Sequence, residues 1–339
     1  MREPAFWWRK PGLTAALLAP LAALYGAVAA RRMTRPGHRA RVPVVCLGNL
    51  TLGGAGKTPA AIAFARMLKD EGERPAFLTR GYGGKLAGPV AVSAIHTAAD
   101  VGDEPLMLAR VAPTIVARDR VAGADAVPAD TTVIVMDDGF QNPSLKKDLA
   151  VLVVDGKRGI GNGKVFPAGP LRAPLQAQLD RCLALLVVGE PGESTHGLIE
   201  ASFRDLLPSL IGRLVPDPDA IARLADRQVL AFAGIGDPEK FYATLGAAGI
   251  AVAQTRSFAD HHVFTAGEAA ELITAADARG LTLVTTEKDH ARMTGDPALA
   301  ALAARSATLP VRLVIDHEDA LRSQLASVAR ASRSSVDKS

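Results

Sequence analysis

The sequence predicts an α/β fold: a doubly wound, mostly parallel sheet, a second and smaller α/β lobe, and an N-terminal membrane-associated helix. Three observations predict it. Short β-branched runs alternate with stretches of helical character along most of the 339 residues. Several of those runs are apolar throughout, as strands of a parallel sheet covered on both faces are. Ahead of them all, residues 11–30 carry no charge, and twenty helical residues reach about 30 Å, near the hydrocarbon thickness of a bilayer.

The first set of predicted strands covers 42–48, 75–80, 114–117, 131–136, 149–155 and 182–188, with helical stretches such as 58–70 and 103–111 between them. This is the β-α alternation of a doubly wound sheet. Pro216-Asp217-Pro218-Asp219 then forms a turn-rich break. After it come strands at 228–233, 251–256, 281–286 and 311–315, with helices at 238–248 and 266–279. The predicted division is 1–40 for the apolar helix and its basic flank, 41–214 for the core domain, 215–330 for the smaller lobe, and a short polar tail, 331–339, expected to fray. No internal repeat is visible.

Composition excludes several classes. The chain is 48% hydrophobic and 22% charged, a globular balance rather than a disordered one. Arg31, Arg32, Arg35, Arg39 and Arg41 follow the apolar run without an intervening acid, which fits anionic headgroups. No aromatic residues are interleaved with them and no reading motif follows, so nucleic acid is not an expected partner. Cys46 and Cys182 lie in apolar, strand-like stretches without metal-ligand spacing, and read as buried free thiols.

The run Gly48-Asn49-Leu50-Thr51-Leu52-Gly53-Gly54-Ala55-Gly56-Lys57-Thr58 follows a predicted strand and opens a predicted helix. That context is what a phosphate-binding P-loop requires. Glycines let backbone N–H groups turn inward around phosphate oxygens, and the helix N-terminus adds partial positive charge. Asn49, Thr51, Gly53, Gly54, Ala55, Gly56, Lys57 and Thr58 are therefore candidate nucleotide-binding residues. Lys57 suits the β- and γ-phosphates of ATP, and Thr58 suits Mg²⁺. Thr51 stands where the usual pattern has its first glycine. Downstream, the strand at 131–136 runs into Asp137-Asp138-Gly139. Alone this is a turn signal. Beside a P-loop, acids at the carboxyl end of a strand read as metal ligands, which assigns Mg²⁺ to Thr58, Asp137 and Asp138.

The apolar run at 11–30 admits three readings: a spanning helix, a helix lying in one leaflet, or a cleaved signal peptide with Arg2, Arg9 and Lys10 before it and Ala27-Val28-Ala29 as its cleavage site. A retained membrane contact is favoured. Trp7 and Trp8 precede the run, where amphipathic rings prefer the headgroup level. An ATP site also needs the cytoplasm.

Further motifs follow in order: Arg80-Gly81-Tyr82-Gly83-Gly84, Gly102-Asp103-Glu104-Pro105, Asp137-Asp138-Gly139-Phe140-Gln141, Phe166-Pro167-Ala168-Gly169-Pro170-Leu171-Arg172, Asp260-His261 and Thr285-Thr286-Glu287-Lys288-Asp289. With the P-loop, this ordered set resembles the tetraacyldisaccharide 4'-kinase family of Gram-negative bacteria, over essentially the whole chain. The resemblance implies ATP- and Mg²⁺-dependent phosphorylation of the 4' hydroxyl of a tetraacylated glucosamine disaccharide 1-phosphate in lipid A biosynthesis. It implies an acylated disaccharide lipid and the membrane surface as partners, and the cytoplasmic face of the bacterial inner membrane as the location. It says nothing of oligomeric state.

Residue by residue, the resemblance makes Asp103 the base and His261 its partner. An exposed aspartate is a weak base, and a neighbouring imidazole can orient it and share the proton. His262 beside it is a rival for that role. The two fall in different predicted lobes, so on this reading lobe closure completes the pair. Arg80, Tyr82, Gln141 and Arg172 match motif positions and are expected substrate contacts, with Arg172 suited to a phosphate oxygen. Glu287, Lys288 and Asp289 read as nucleotide contacts or as a strand-end cap, and the glycine-rich segment of Arg80 and Tyr82 reads equally as a plain loop. The family usually has Glu where this chain has Ala173. A competing reading is a deviant-Walker ATPase switch acting with a protein partner; its additional early lysine is missing at Thr51 and Leu52. A non-catalytic nucleotide-binding membrane protein would leave Asp103 and His261 without a role.

Overall fold

The structure is a computed structural model and describes residues 3–204 and 207–336. Its strands, in chain order, are β1 Val44–Asn49, β2 Pro75–Thr79, β3 Val90–Ala91, β4 Thr114–Val116, β5 Val133–Asp137, β6 Leu149–Asp155, β7 Ala184–Val188, β8 Ser209–Pro216, β9 Gln228–Ala233, β10 Ala251–Ser257, β11 Thr282–Thr285, β12 Ser306–Thr308 and β13 Val311–Ile315. The chain forms two compact units. The first gathers Met1–Arg80, Asp119–Leu214 and Leu313–Ser339; the second gathers Gly81–Arg118 and Val215–Arg312.

In the first unit the strands lie in the order β13-β8-β7-β6-β1-β5-β2. Every pairing from β8 to β2 is parallel. Val44, Val45, Cys46, Leu47 and the rest of β1 are fully buried at the centre, which is why this strand reads as an unbroken apolar run. The helix Lys57–Asp70 packs on β1 and β5 through Ala60, Ala61, Phe64, Ala65 and Leu68. Its alanines allow a close approach and Phe64 fills the remaining space. Gly56, at φ 83°, turns the chain from the loop into this helix, a backbone shape that glycine adopts without strain.

The second unit holds a parallel sheet in the order β10-β9-β11-β12. Phe232, Phe264, Leu272, Leu283 and Met293 form one of its apolar clusters; Val229, Phe241, Leu245 and Val284 belong to another. The helix Ala266–Arg279 opens with the Thr265/Glu268 capping box and ends on Gly280 in the left-handed region. The antiparallel pair β3–β4 and the helices Ala98–Val101 and Asp103–Ala109 belong here too, with both helices packed on Glu287–Met293.

The units change over between Leu214 and Val215, and two segments lie in other units than the expected 41–214 and 215–330 would put them. Residues 81–118 join the second unit, because their helices bury themselves on the helix after β11. The C-terminal segment returns to the first unit, where Glu318–Val336 packs on Lys57–Asp70 and Arg322 sits 3.5 Å from Asp70. The expected frayed tail at 331–339 is thus helical as far as Val336, and 337–339 lie outside the described residues. The reason is amphipathy: Leu321, Leu325, Ala326 and Ala329 form a buried stripe at helical spacing.

The apolar helix spans Leu13–Met33 and is long and apolar enough to cross a membrane. Leu13, Leu17, Leu21, Leu24 and Val28 are exposed along it. The tryptophans differ from expectation. Trp7 is buried, donates its indole N–H to the Pro167 carbonyl at 3.1 Å and meets Phe166 edge-on; Trp8 lies under the Arg158 guanidinium. They tie the preceding segment, whose Arg2 lies outside the described residues, to the first unit. Cys182 also differs, lying in the turn before β7 rather than in a strand.

Candidate active site

The glycine-rich loop after β1 in the first unit is shaped by side chains around it. Asn49, wholly buried at the end of β1, donates its amide to the carbonyls of Thr51 at 2.7 Å and Gly53 at 3.0 Å. Gln141 donates to the Asn49 carbonyl at 2.8 Å and to Gln178 Oε1 at 3.0 Å. The amides of Asn49 and Gln141 are therefore engaged in fixing the loop. Arg172 adds a third brace, its Nε donating to the Thr51 carbonyl at 2.9 Å. Gly54 has open space where a Cβ would stand, as a loop receiving a bulky anion needs. Ala173 is fully buried, and its carbonyl accepts from Gln178 at 2.8 Å.

Lys57 and Thr58 open the helix and are nearly buried. The Thr58 hydroxyl donates to Asp137 Oδ2 at 3.3 Å. Asp138, at φ 55°, faces Lys57 at 3.8 Å and Arg172 at 3.3 Å, and its carbonyl accepts from buried Arg120 at 3.3 Å. Burial works to raise the Asp138 carboxyl, but the charges of Lys57, Arg172 and Arg120 outweigh it and hold it below its ordinary value. The expected strand-end placement of both acids beside the loop is thus what the structure has. The donor set of Thr58, Asp137 and Asp138 is all oxygen, which suits a hard divalent cation that completes its shell with phosphate oxygens and water. Among the described residues no group of three metal-binding side chains exists that would hold an ion unaided. Arg80 is exposed just after β2.

The second unit holds the Asp–His pair. Asp103 begins its helix after Gly102, which sits at φ 92°; a Cβ there would run into the Tyr82 carbonyl. Asp103 is 4% exposed, and four nitrogens of three residues surround its carboxylate. Oδ1 accepts from the Glu104 N–H at 2.9 Å; Oδ2 accepts from Arg292 Nε at 2.8 Å and lies 2.6 Å from Arg292 Nη2 and 3.5 Å from His261 Nδ1. Burial raises the carboxyl, but the His261 hydrogen bond and the Arg292 and Lys288 charges prevail and hold it far below the usual carboxylate range.

The pair lies within one compact unit, which corrects the expected assembly from two lobes. The reason is the placement of residues 81–118. Of the two histidines, His261 is the one beside Asp103. His262 is occupied by Glu268 at 3.0 Å and stacks on Phe258, whereas His261 faces Asp103 and meets the exposed Tyr82 ring edge-on at 5.3 Å.

The motif at 285–289 turns out to brace this unit. Thr286 caps its helix, Lys288 pairs with Glu104 at 2.6 Å, and Asp289 accepts from the Gly234 N–H at 3.0 Å. Burial works against the Lys288 cation, and the Glu104 and Asp103 charges overcome it to raise its pKa. Sequence reasoning missed Arg292 and Arg120. The only signal for Arg292 was its position three residues after Asp289 on one helix face, where the two pair at 2.7 Å.

The family model described as tetraacyldisaccharide-1-P 4'-kinase matches residues 14–330. A tetraacyldisaccharide 4'-kinase of Methylobacterium sp. (strain 4-46) is 58% identical over 97% of this chain and 98% of its own length. One from Nitrobacter winogradskyi is 54% identical over 96% and 97%. Among solved structures, LpxK from Aquifex aeolicus, crystallised in complex with ATP, superposes with a TM-score of 0.72 at 26% identity, covering 93% of this chain and 99% of that one.

Proposed function

The chain belongs to the tetraacyldisaccharide 4'-kinase family, and from that premise we propose how its residues divide the work. The activity is ATP-dependent phosphorylation of the 4' hydroxyl of a tetraacylated glucosamine disaccharide 1-phosphate in lipid A biosynthesis. The deviant-Walker ATPase switch is not favoured by these similarities. The observation that carries the residue assignment is the pairing of Lys57 and Arg172 with Asp138 beside the open loop. These two cations are held by a carboxylate at the position where nucleotide phosphates bring stronger negative charge.

In this reading the loop from Asn49 to Thr58 binds the phosphates of ATP through backbone N–H groups, with Lys57 as the point charge. Mg²⁺ is the proposed cofactor, held by Thr58, Asp137 and Asp138; it would neutralise phosphate charge. Arg172 leaves Asp138 for a phosphate oxygen, a bidentate task suited to guanidinium. Asn49 and Gln141 act by keeping the loop in shape. Arg80 and Tyr82 present exposed side chains for the sugar acceptor, and Asp103 with His261 handles the hydroxyl proton. The helix Leu13–Met33 holds the enzyme on the cytoplasmic face of the inner membrane, where ATP and the lipid are both available.

The test is direct. Purified full-length protein, γ-labelled ATP and the tetraacyldisaccharide 1-phosphate are combined with and without Mg²⁺. Label should enter the lipid only when acceptor and Mg²⁺ are both present. ADP release independent of any acceptor would count against the reading.

A further inference from the structure

The one-turn helix Ala5–Trp8, ahead of the apolar helix, is bound to the loop that follows β6. The Asn162 backbone N–H donates to the Trp7 carbonyl at 2.7 Å, and the Asn162 side-chain amide donates to the Phe6 carbonyl at 3.4 Å. Gly161, at φ 57°, permits the approach: an added Cβ would stand 2.5 Å from the Trp7 carbonyl. With the bond from Trp7 to Pro167, these contacts fix the segment, and none of them uses Glu3.

Glu3 precedes that turn and sends its carboxylate to the glycine-rich loop. A Cβ added at Gly53, itself at φ 100°, would collide with Glu3 Oε1, so that oxygen lies against the loop backbone. The other oxygen, Oε2, accepts from Arg158 Nη1 at 3.0 Å. The Arg158 guanidinium in turn lies over the Trp8 ring, 5.1 Å from its centre. A cation on an indole face is held by the ring quadrupole, and its N–H groups remain donors to anions. Trp8, Arg158, Glu3 and Gly53 thus form a series that brings a cation to the loop with a carboxylate between them.

That carboxylate is loosely held. Asp138 pairs with both Lys57 and Arg172, whereas among the described residues Glu3 pairs with Arg158 alone. The side chains of Glu3 and Arg158 are 27% and 32% exposed, so water screens their attraction and opening the pair costs little. Since the backbone after Glu3 is tied independently, its side chain can turn away without undoing the segment. A triphosphate carries more negative charge and more acceptor oxygens than a carboxylate, and it suits a guanidinium fork.

We propose, on the reading that this loop binds ATP, that Arg158 is a further phosphate-binding residue and Glu3 its internal competitor. A nucleotide phosphate takes the place of the Glu3 carboxylate against the loop and on Arg158, and Glu3 swings out to solvent. The segment ahead of the apolar helix thereby sets the affinity of the loop for ATP.

The experiment measures ATP binding to the full-length protein by calorimetry, with thermal unfolding midpoints recorded for every variant. Glu3→Gln, which keeps the side chain's length and removes its charge, should tighten ATP binding about two- to fivefold, the range of an exposed ion pair. Arg158→Ala should weaken it by about tenfold or more, and Arg158→Lys should fall between, keeping the charge without the fork. In the Arg158→Ala background, Glu3→Gln should shift affinity by less than about twofold, because that arginine is what holds the carboxylate at the loop. Unchanged or weaker binding in Glu3→Gln would overturn the competitor role. Wild-type affinity in Arg158→Ala would overturn the role of the arginine. Altered unfolding midpoints at unchanged affinity would reduce the pair to a structural clip and overturn both. If the wild-type protein itself binds no ATP, the nucleotide reading of the loop has failed instead.

Discussion

The two units build their polar centres in opposite ways. In the first, the loop is held mainly by backbone and neutral amides: Asn49, Gln141 and Gln178 fix its carbonyls, and its cations rest on one partly exposed carboxylate, Asp138. In the second, charged side chains hold one another: Arg292 pairs with Asp103 and Asp289 at 2.6 to 2.8 Å, and Lys288 pairs with Glu104 at 2.6 Å. On the proposed reading the loop is a receptor for an anion, and its positive groups are the ones that exchange partners. The network is a scaffold of charges paired with one another, so on the same reading it orients rather than binds. Losing one member of a buried charge network leaves the partner uncompensated, whereas removing a loop cation chiefly weakens what the loop would bind.

The comparison is broken or sharpened by substitution. The largest effect belongs to Lys57→Ala, expected to reduce phosphate transfer by at least about 1,000-fold by removing the charge beside the transferred group; steady-state transfer with labelled ATP measures it. Asp103→Asn and His261→Ala should each lower kcat by about 10²–10⁴-fold with nucleotide affinity kept, as fluorescent-nucleotide titration can read. Arg172→Ala should fall below these, about 10–100-fold, and should also loosen the loop, raising KM for ATP. Equal losses in KM and kcat for all four would erase the distinction between receptor and scaffold.

The same distinction was visible in what the sequence disclosed. The loop, its lysine and the acids after β5 are contiguous motifs at strand ends, and local chemistry is enough to place them. The network joins residues 103, 234, 261, 289 and 292, whose proximity depends on residues 81–118 leaving the first unit. No local pattern carries that, so Asp103 and His261 were expected in separate lobes and Arg292 went unseen. The strand β8 escaped for another reason: its mixed, half-buried residues lack the apolar run that marked its neighbours. The helix through Val336 was hidden by its polar composition, although its buried stripe is regular. The tryptophans misled because a ring before an apolar helix reads the same whether it meets headgroups or, as Trp7 does, Phe166.

A smaller effect concerns acid. The Asp103 carboxyl is held below its ordinary range, so its ionised form adds stability that is complete above that range and is lost as pH falls through it. Below about pH 4, Asp103→Asn should therefore show a flatter decline in unfolding midpoint than wild type, measured by thermal melts across pH. The smallest effect is expected at the thiols. Burial pushes Cys46 up to about 11 and Cys182 to about 12. Alkylating reagents at neutral pH should leave both untouched and activity unchanged.

The separation of labour is tested most directly by measuring ATP binding calorimetrically in Lys57→Ala and Asp103→Asn side by side with wild type. The account predicts wild-type affinity in Asp103→Asn, despite its loss of transfer, and a marked loss of affinity in Lys57→Ala. Equal weakening of nucleotide binding in both variants would contradict it.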